Sequence, residues 1–272
     1  MAGWASLPGV TLADLAGLEV ADLSPWFNPY LRRFAEDAER CGGSVQITRE
    51  DGAVTGLLVS DPDERVSSIF TRSRELAASC VQNRSTDGMY SDFAFEATAE
   101  PFDIYVLSTR GPLSEYRFHH PVRSLRSNDL PAVVDLMREV YGLVNPRWFE
   151  GVPRSTEAGF VSEIDGRVAG VGWISTVGRF ARLHSLTVRA PYRNLGLGSD
   201  LLRARLLWAE QAGVTEVLSE ISRLNAASQA LAVRSGMRRV GEIYLYRPRG
   251  PVDSGATSEA PRSSDSARPW SQ

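Results

Sequence analysis

LTVRAPYRNLGLGSDLLRARLLWAEQ, residues 186–211, decides the reading of this chain. A strand-like run, ARLHSLTV, precedes it, and its second half has the length and apolar spacing of a helix. The segment between them, Arg193 to Gly198, therefore falls where a strand hands over to a helix mouth. The first amides of a helix have no intrahelical partner and carry partial positive charge. Glycines at Gly196 and Gly198 let a phosphate-sized anion approach that backbone with no Cβ in the way.

Composition narrows the chemistry. All 30 basic side chains are arginine, and the sequence of 272 residues contains no lysine. A P-loop nucleotidase and a pyridoxal enzyme each need a lysine, so both classes are excluded. A net charge of -3 offers no global attraction to nucleic acid or to an anionic membrane, and neither is an expected partner. Two separated cysteines, Cys41 and Cys80, form no disulfide framework or zinc knuckle and suit buried thiols in a reducing, cytoplasmic setting. His119 and His120 are adjacent but lack the spacing of a metal site. The first 20 residues have no basic leader with a continuous apolar run, and no later stretch approaches the roughly 20 apolar residues of a membrane span.

Residues 122 to 247 alternate between strand and helix signals. The expected strands are VRSL, AGFVSEI, VAGVGWIST, ARLHSLTV, TEVLSEIS and EIYLYRP; the expected helices run over Asn128–Tyr141, after the glycine loop, and through AASQALAVRSG. Gly213 is placed to close the second of these helices. This order implies an α/β or α+β sheet domain. Upstream, DGAVTGLLVS (51–60) matches DGRVAGVGWIS (165–175), and ERVSSIFT stands where ARLHSLTV does, leading into TRSRELAASC without a glycine loop. The expectation is an internal duplication: a degenerate first half, 1–118, a second half, 119–249, able to hold an anion, and a disordered tail, 250–272.

The second half resembles the GNAT superfamily of N-acetyltransferases. The resemblance rests on LTVRAPYRNLGLG, then SEISRLN, then AASQALAVRSGM, spanning Leu186 to Met237. A dinucleotide fingerprint would want a third glycine where this chain has Leu201. The resemblance implies a mixed, mostly antiparallel twisted sheet flanked by helices, with acetyl-CoA as acyl donor. It implies that the amides of Arg193, Asn194, Leu195, Gly196, Leu197, Gly198 and Ser199 hold the pyrophosphate. The backbone near Leu186 and Val188 would bind the pantetheine arm and polarise the thioester carbonyl. Asn225 and Ser228, heading the next helix, would contact the donor.

By the same resemblance, the acceptor is a primary amine on a small molecule or a protein, and Glu220 removes its proton, since ExxxxN ending at Asn225 is a pattern of ribosomal-protein N-terminal acetyltransferases. The plain alternative for Glu220 is a strand glutamate paired with an arginine. His184 is a second possible base. Many family members carry a tyrosine that protonates the departing thiolate; here its place is taken by Ala232, with Tyr244 and Tyr246 as conceivable substitutes. That departure motivates a second reading, a non-catalytic protein that senses acyl-CoA. A third is transfer of a longer acyl group, decided by the space beyond the thioester.

Overall fold

The structure, a computed structural model, describes residues 5–6, 44–50, 53–61, 66–82, 88–95, 99–109, 117–141, 157–177 and 179–247. In chain order the strands are β1 (Ala5–Ser6), β2 (Ser44–Glu50), β3 (Ala53–Asp61), β4 (Val66–Thr71), β5 (Gly88–Ser91), β6 (Glu100–Ser108), β7 (Val122–Ser124), β8 (Glu157–Ile164), β9 (Arg167–Val177), β10 (Phe180–Val188), β11 (Glu216–Ser222) and β12 (Arg238–Tyr246). The helices are α1 (Arg74–Gln82), α2 (Leu130–Tyr141), α3 (Leu197–Gln211) and α4 (Ala226–Arg234). Among the described residues no helix is long and apolar enough to cross a membrane. The expected disordered tail and Cys41 lie outside the described residues, while Cys80 is a buried thiol on α1.

Two compact units emerge, and they do not follow chain order. One gathers the described residues through Pro101 with those from Glu242; the other is Phe102–Gly241. The break expected after residue 118 is not where they divide. The reason is non-local pairing: β6 lies antiparallel to β11, from Phe102↔Ser222 to Ser108↔Glu216, and the end of β12 lies antiparallel to β5, Tyr244↔Ser91 to Tyr246↔Met89. Two strands have exchanged units, and a reading that proceeds along the chain assigns each to its sequence neighbours.

In the second unit the strands run in the order β6-β11-β10-β9-β8-β7. Hairpins account for β8–β9 and β9–β10, while β10 and β11, joined through α3, are parallel. Alternation along β9 divides its side chains between two faces. Val171 and Trp173 pack on Val133, Leu136 and Met137 of α2; Ile174, with Leu183 of β10, packs on Leu201, Leu202 and Leu206 of α3. Gly170 and Gly172 are on the α3 face, where a Cβ at Gly170 would stand 2.9 Å from Leu201 Cδ1 and 3.3 Å from the Thr187 carbonyl. The glycines of VAGVGW are thus the seat of α3.

The start of α2 is fixed electrostatically. Asp129 takes Arg123 Nη1 and Nη2 at 2.7 and 2.8 Å and the Arg126 amide at 2.7 Å. Hydrogen bonding from the Arg123 guanidinium, opposed by burial, holds the Asp129 carboxyl below its usual range. β12 begins at Arg238, earlier than its sequence suggests, and Arg239 Nε reaches Asp103 of β6 at 2.8 Å.

The first unit repeats the plan: β2 and β3 form a hairpin, β3 and β4 are antiparallel, α1 crosses over, and β5 returns parallel to β4. Both hairpins carry a register shift with the extra residue on the outgoing strand, Thr55 opposite Thr48/Arg49 and Ala169 opposite Ser162/Glu163. Gly56 sits four residues past Gly52 as Gly170 does past Gly166, and a Cβ there would meet Leu76 Cδ2 of α1 at 2.9 Å.

Candidate active site

β10 leaves the sheet by a single 3-10 turn, Ala190–Tyr192, and the chain reaches α3 through Arg193 to Gly196. Asn194 has φ 64° and Gly196 φ 97°, a left-handed conformation open to glycine at little cost. α3 starts at Leu197 with no side-chain cap. The Gly196 carbonyl accepts from the amides of Ser199 at 2.9 Å and Asp200 at 3.1 Å, and the Arg193 amide donates to Ala190 at 3.3 Å. Leu197 and Gly198 therefore present amides with no partner among the described residues. A Cβ at Gly198 would find only Leu231 Cδ2, at 3.6 Å, so packing does not require glycine there. What the glycine keeps clear is the approach to the amides, a fit for an anion on the axis of the helix. The Arg193 side chain turns back, its Nε donating to the Val188 carbonyl at 3.2 Å.

The acid in this first turn does not occupy the mouth. Asp200, fully buried, accepts from the His119 and His120 amides at 3.1 and 3.0 Å and bonds His120 Nδ1 at 3.1 Å. It thereby anchors the segment before β7 beside the loop, with the His119 ring 3.8 Å from where a Gly196 Cβ would be. Sequence reasoning missed this trio, since nothing local links residues 119 and 200.

Beyond the mouth the sheet opens. β10 and β11 pair only from Phe180↔Glu216 to Arg182↔Leu218, although they run on to Val188 and Ser222. Over the unpaired part β10 bulges away from β9 between His184 and Thr187, with Ser185 at φ 52°. A β-bulge re-aims a strand and leaves main-chain groups unpaired. The parted strands border a narrow groove walled by Leu186 of β10, Ser219 and Ile221 of β11, and Ser228 and Ala232 of α4. Asn225 caps α4, its side chain accepting from the Ser228 amide at 3.1 Å.

Glu220 alternates with Ser219 and Ile221 and faces the other side of the sheet, 3 % exposed. Arg182 Nε meets both its carboxylate oxygens, at 3.0 and 3.3 Å. On the same face His184 Nε2 is 2.8 Å from Ser175 Oγ. The tyrosines entertained as proton donors are placed elsewhere. Tyr246 is 1 % exposed and bonds the Phe93 carbonyl at 2.6 Å and the Phe95 amide at 2.7 Å; Tyr244 bonds Glu242 at 2.5 Å. Both belong to the first unit's part of β12.

Comparison with known proteins agrees with this geometry. Several solved structures share the fold over most of their length. A GCN5-related N-acetyltransferase from Sphaerobacter thermophilus superposes with a TM-score of 0.62 at 16% identity, covering 90% of this chain and 96% of its own. A tandem GNAT protein from the clavulanic acid biosynthesis pathway gives 0.61 at 14%, covering 93% and 100%. A GNAT-family acetyltransferase from Colwellia psychrerythraea gives 0.60 at 15%, covering 91% and 100%. At these identities the likeness is one of fold. No curated protein matches the sequence. The profile of the acetyltransferase (GNAT) family matches residues 125–237, a span that takes in the open helix mouth and the parted strands, and that part of the chain is accordingly a GNAT-type acetyltransferase domain.

Proposed function

We propose that the chain transfers an acetyl group from acetyl-CoA to a primary amine, on a small molecule or a protein, where β10 and β11 part. The observation that carries this reading is the alignment of an uncapped helix mouth with a groove between two strands that stop pairing after Arg182 and Leu218. The pyrophosphate would rest on the Leu197 and Gly198 amides, with Asn194, Leu195 and Gly196 shaping the loop and Arg193 and Ser199 at its edges. The pantetheine arm would follow the main chain from Val188 to Leu186, opposite Asn225 and Ser228. The bound donor supplies an activated acyl carbonyl, and main-chain N–H groups freed by the bulge are suited to the charge that gathers on its oxygen.

An amine attacks only when neutral, so a base must hold its proton. We assign this to Glu220. Arg182 fixes the carboxylate, and some of that pair's attraction is given up when the proton arrives. With Ala232 in the groove wall, water or a groove hydroxyl protonates the thiolate. The test is CoA release from acetyl-CoA with a panel of amines. Glu220→Gln is expected to lower kcat by about 10²- to 10⁴-fold while leaving acetyl-CoA affinity unchanged, and His184→Gln to lower it by less than about tenfold. The opposite ranking would move the role to His184. Tight binding without turnover for any amine would favour an acyl-CoA sensor.

A further inference from the structure

Arg205, on the third turn of α3, is 2 % exposed and has no carboxylate partner among the described residues. Its head is held by carbonyls alone: Nε donates to Leu201 at 3.2 Å, and Nη1 to Trp173 at 3.1 Å and His184 at 3.4 Å. The fold makes room for it, since a Cβ at Gly172 would stand 3.2 Å from the guanidinium carbon. Burial pushes its pKa down to about 9, so it keeps its charge at neutral pH. A buried cation without an anion carries a large desolvation cost.

Nη1 clips the Trp173 and His184 carbonyls at the start of the bulge, and Nε is used on the Leu201 carbonyl of α3 itself. Nη2 is different. It makes no hydrogen bond within the protein, yet it is not sealed from solvent, and Arg205 lines the groove. Two N–H donors of a fixed cation therefore open on the space where the parted strands would hold a thioester. Ser219, Ser228 and His184 add polar atoms to a wall that is otherwise aliphatic side chains and Met237. An unbranched neutral acyl group gains nothing from such a donor.

We infer that the acyl group this protein prefers carries a terminal carboxylate, so that the donor is the CoA monothioester of a short dicarboxylic acid, its free carboxylate received by Arg205. This rests on the reading of the groove as an acyl-CoA site and specifies its cargo. The carboxylate belongs to the acyl group and not to the acceptor, because Arg205 lies on the α3 face of the sheet, whereas Glu220 and Arg182 lie on the other. In the transfer the amine nitrogen bonds the thioester carbon, the carbon–sulfur bond breaks with its electron pair on sulfur, and the proton lost by the amine ends on the thiolate. The carboxylate is unchanged.

Stable thioethers test this without turnover. Carboxyethyl-CoA, neutral carbamoylethyl-CoA of the same shape, and free CoA are titrated calorimetrically into the full chain. The expected result is carboxyethyl-CoA binding at least about tenfold tighter than carbamoylethyl-CoA, with the preference lost in Arg205→Met while free CoA affinity is retained. A merely structural arginine would not separate the two ligands. Equal binding, or a preference that survives in Arg205→Met, overturns the inference while leaving the CoA site standing; no binding of any of the three overturns the CoA site itself. The wild-type comparison decides by itself whether the preference exists. Should Arg205→Met fail to fold, Ser219→Asp sets a competing carboxylate on the same wall and is expected to abolish the preference; a preference undiminished in that variant counts against the groove.

Discussion

The mouths of α1 and α3 begin from the same plan and end in opposite states. Each helix follows a strand that runs antiparallel to the second strand of a hairpin, and each leads to a parallel strand. At α1 the chain turns in two residues, and Ser73 Oγ accepts from the Leu76 amide at 3.1 Å while Thr71 Oγ1 takes the Ser73 amide at 3.1 Å. A hydroxyl thus satisfies a donor that the next half leaves open. At α3 the turn is longer, the capping residue is glycine, and the amides of Leu197 and Gly198 have no partner among the described residues. The strands differ in parallel: β4 pairs with β5 through Ile69, two residues short of its end, whereas β10 drops β11 after its third residue. The two frames share a plan, and the one with an uncapped helix and an early parting leaves two helix amides open beside a groove.

The sharpest way to break this contrast is to close the open mouth. Gly198→Glu places a carboxylate and its bulk at the two unpartnered amides and is expected to weaken acetyl-CoA binding by about 100-fold or more, with a melting temperature within a few degrees of wild type; undiminished calorimetric affinity would sink the comparison. Where the halves are alike, matched substitutions should hurt alike. Gly170→Ala and Gly56→Ala each push a methyl group to within 2.9 Å of a leucine of the following helix, and each is expected to cost about 1–3 kcal/mol in denaturant unfolding. A large effect at only one of them would argue against the correspondence.

Smaller effects separate the caps. Ser73→Ala removes the hydroxyl that closes α1 and is expected to cost about 1 kcal/mol without altering CoA affinity. Last is a pH effect confined to α2. Because the folded-state pKa of Asp129 is depressed, by Arg123 first, its contribution is complete above the ordinary carboxylate pKa and is lost as pH falls through the lower folded value. Acid should therefore speed amide exchange at the start of α2 before α1, whose cap is a neutral hydroxyl, and Asp129→Asn should abolish that difference.

Local patterns carried much of this into view from sequence. The loop at Arg193–Gly198, the helix that follows, Gly213 at its end with φ 74°, and the strands of the second half lie within a few residues of where spacing puts them. What sequence could not show are features set by partners far along the chain. β6 reads as part of its own half because nothing within PFDIYVLS names β11 as its neighbour. Nothing local to α3 marks Arg205 as buried, and Gly172 of β9, where a Cβ would stand 3.2 Å from its guanidinium, helps make room for it. Glu220 was legible as a strand acid, but the identity of its arginine depends on the parallel register that places Arg182 opposite Leu218.

The exchange of β6 and β12 imposes an order on synthesis. The unit built from the early part of the chain lacks its bordering strand, Tyr244–Tyr246 on β5, until residue 246 has left the ribosome, while the later unit finds β6 already made and waiting. The first half to be translated is thus the last to be finished, and β5 stays an unsatisfied edge throughout elongation. A nascent chain arrested before residue 238 should expose that edge to chaperones and proteases, and cutting the gene at its midpoint would yield two fragments, each missing a strand that the other encodes.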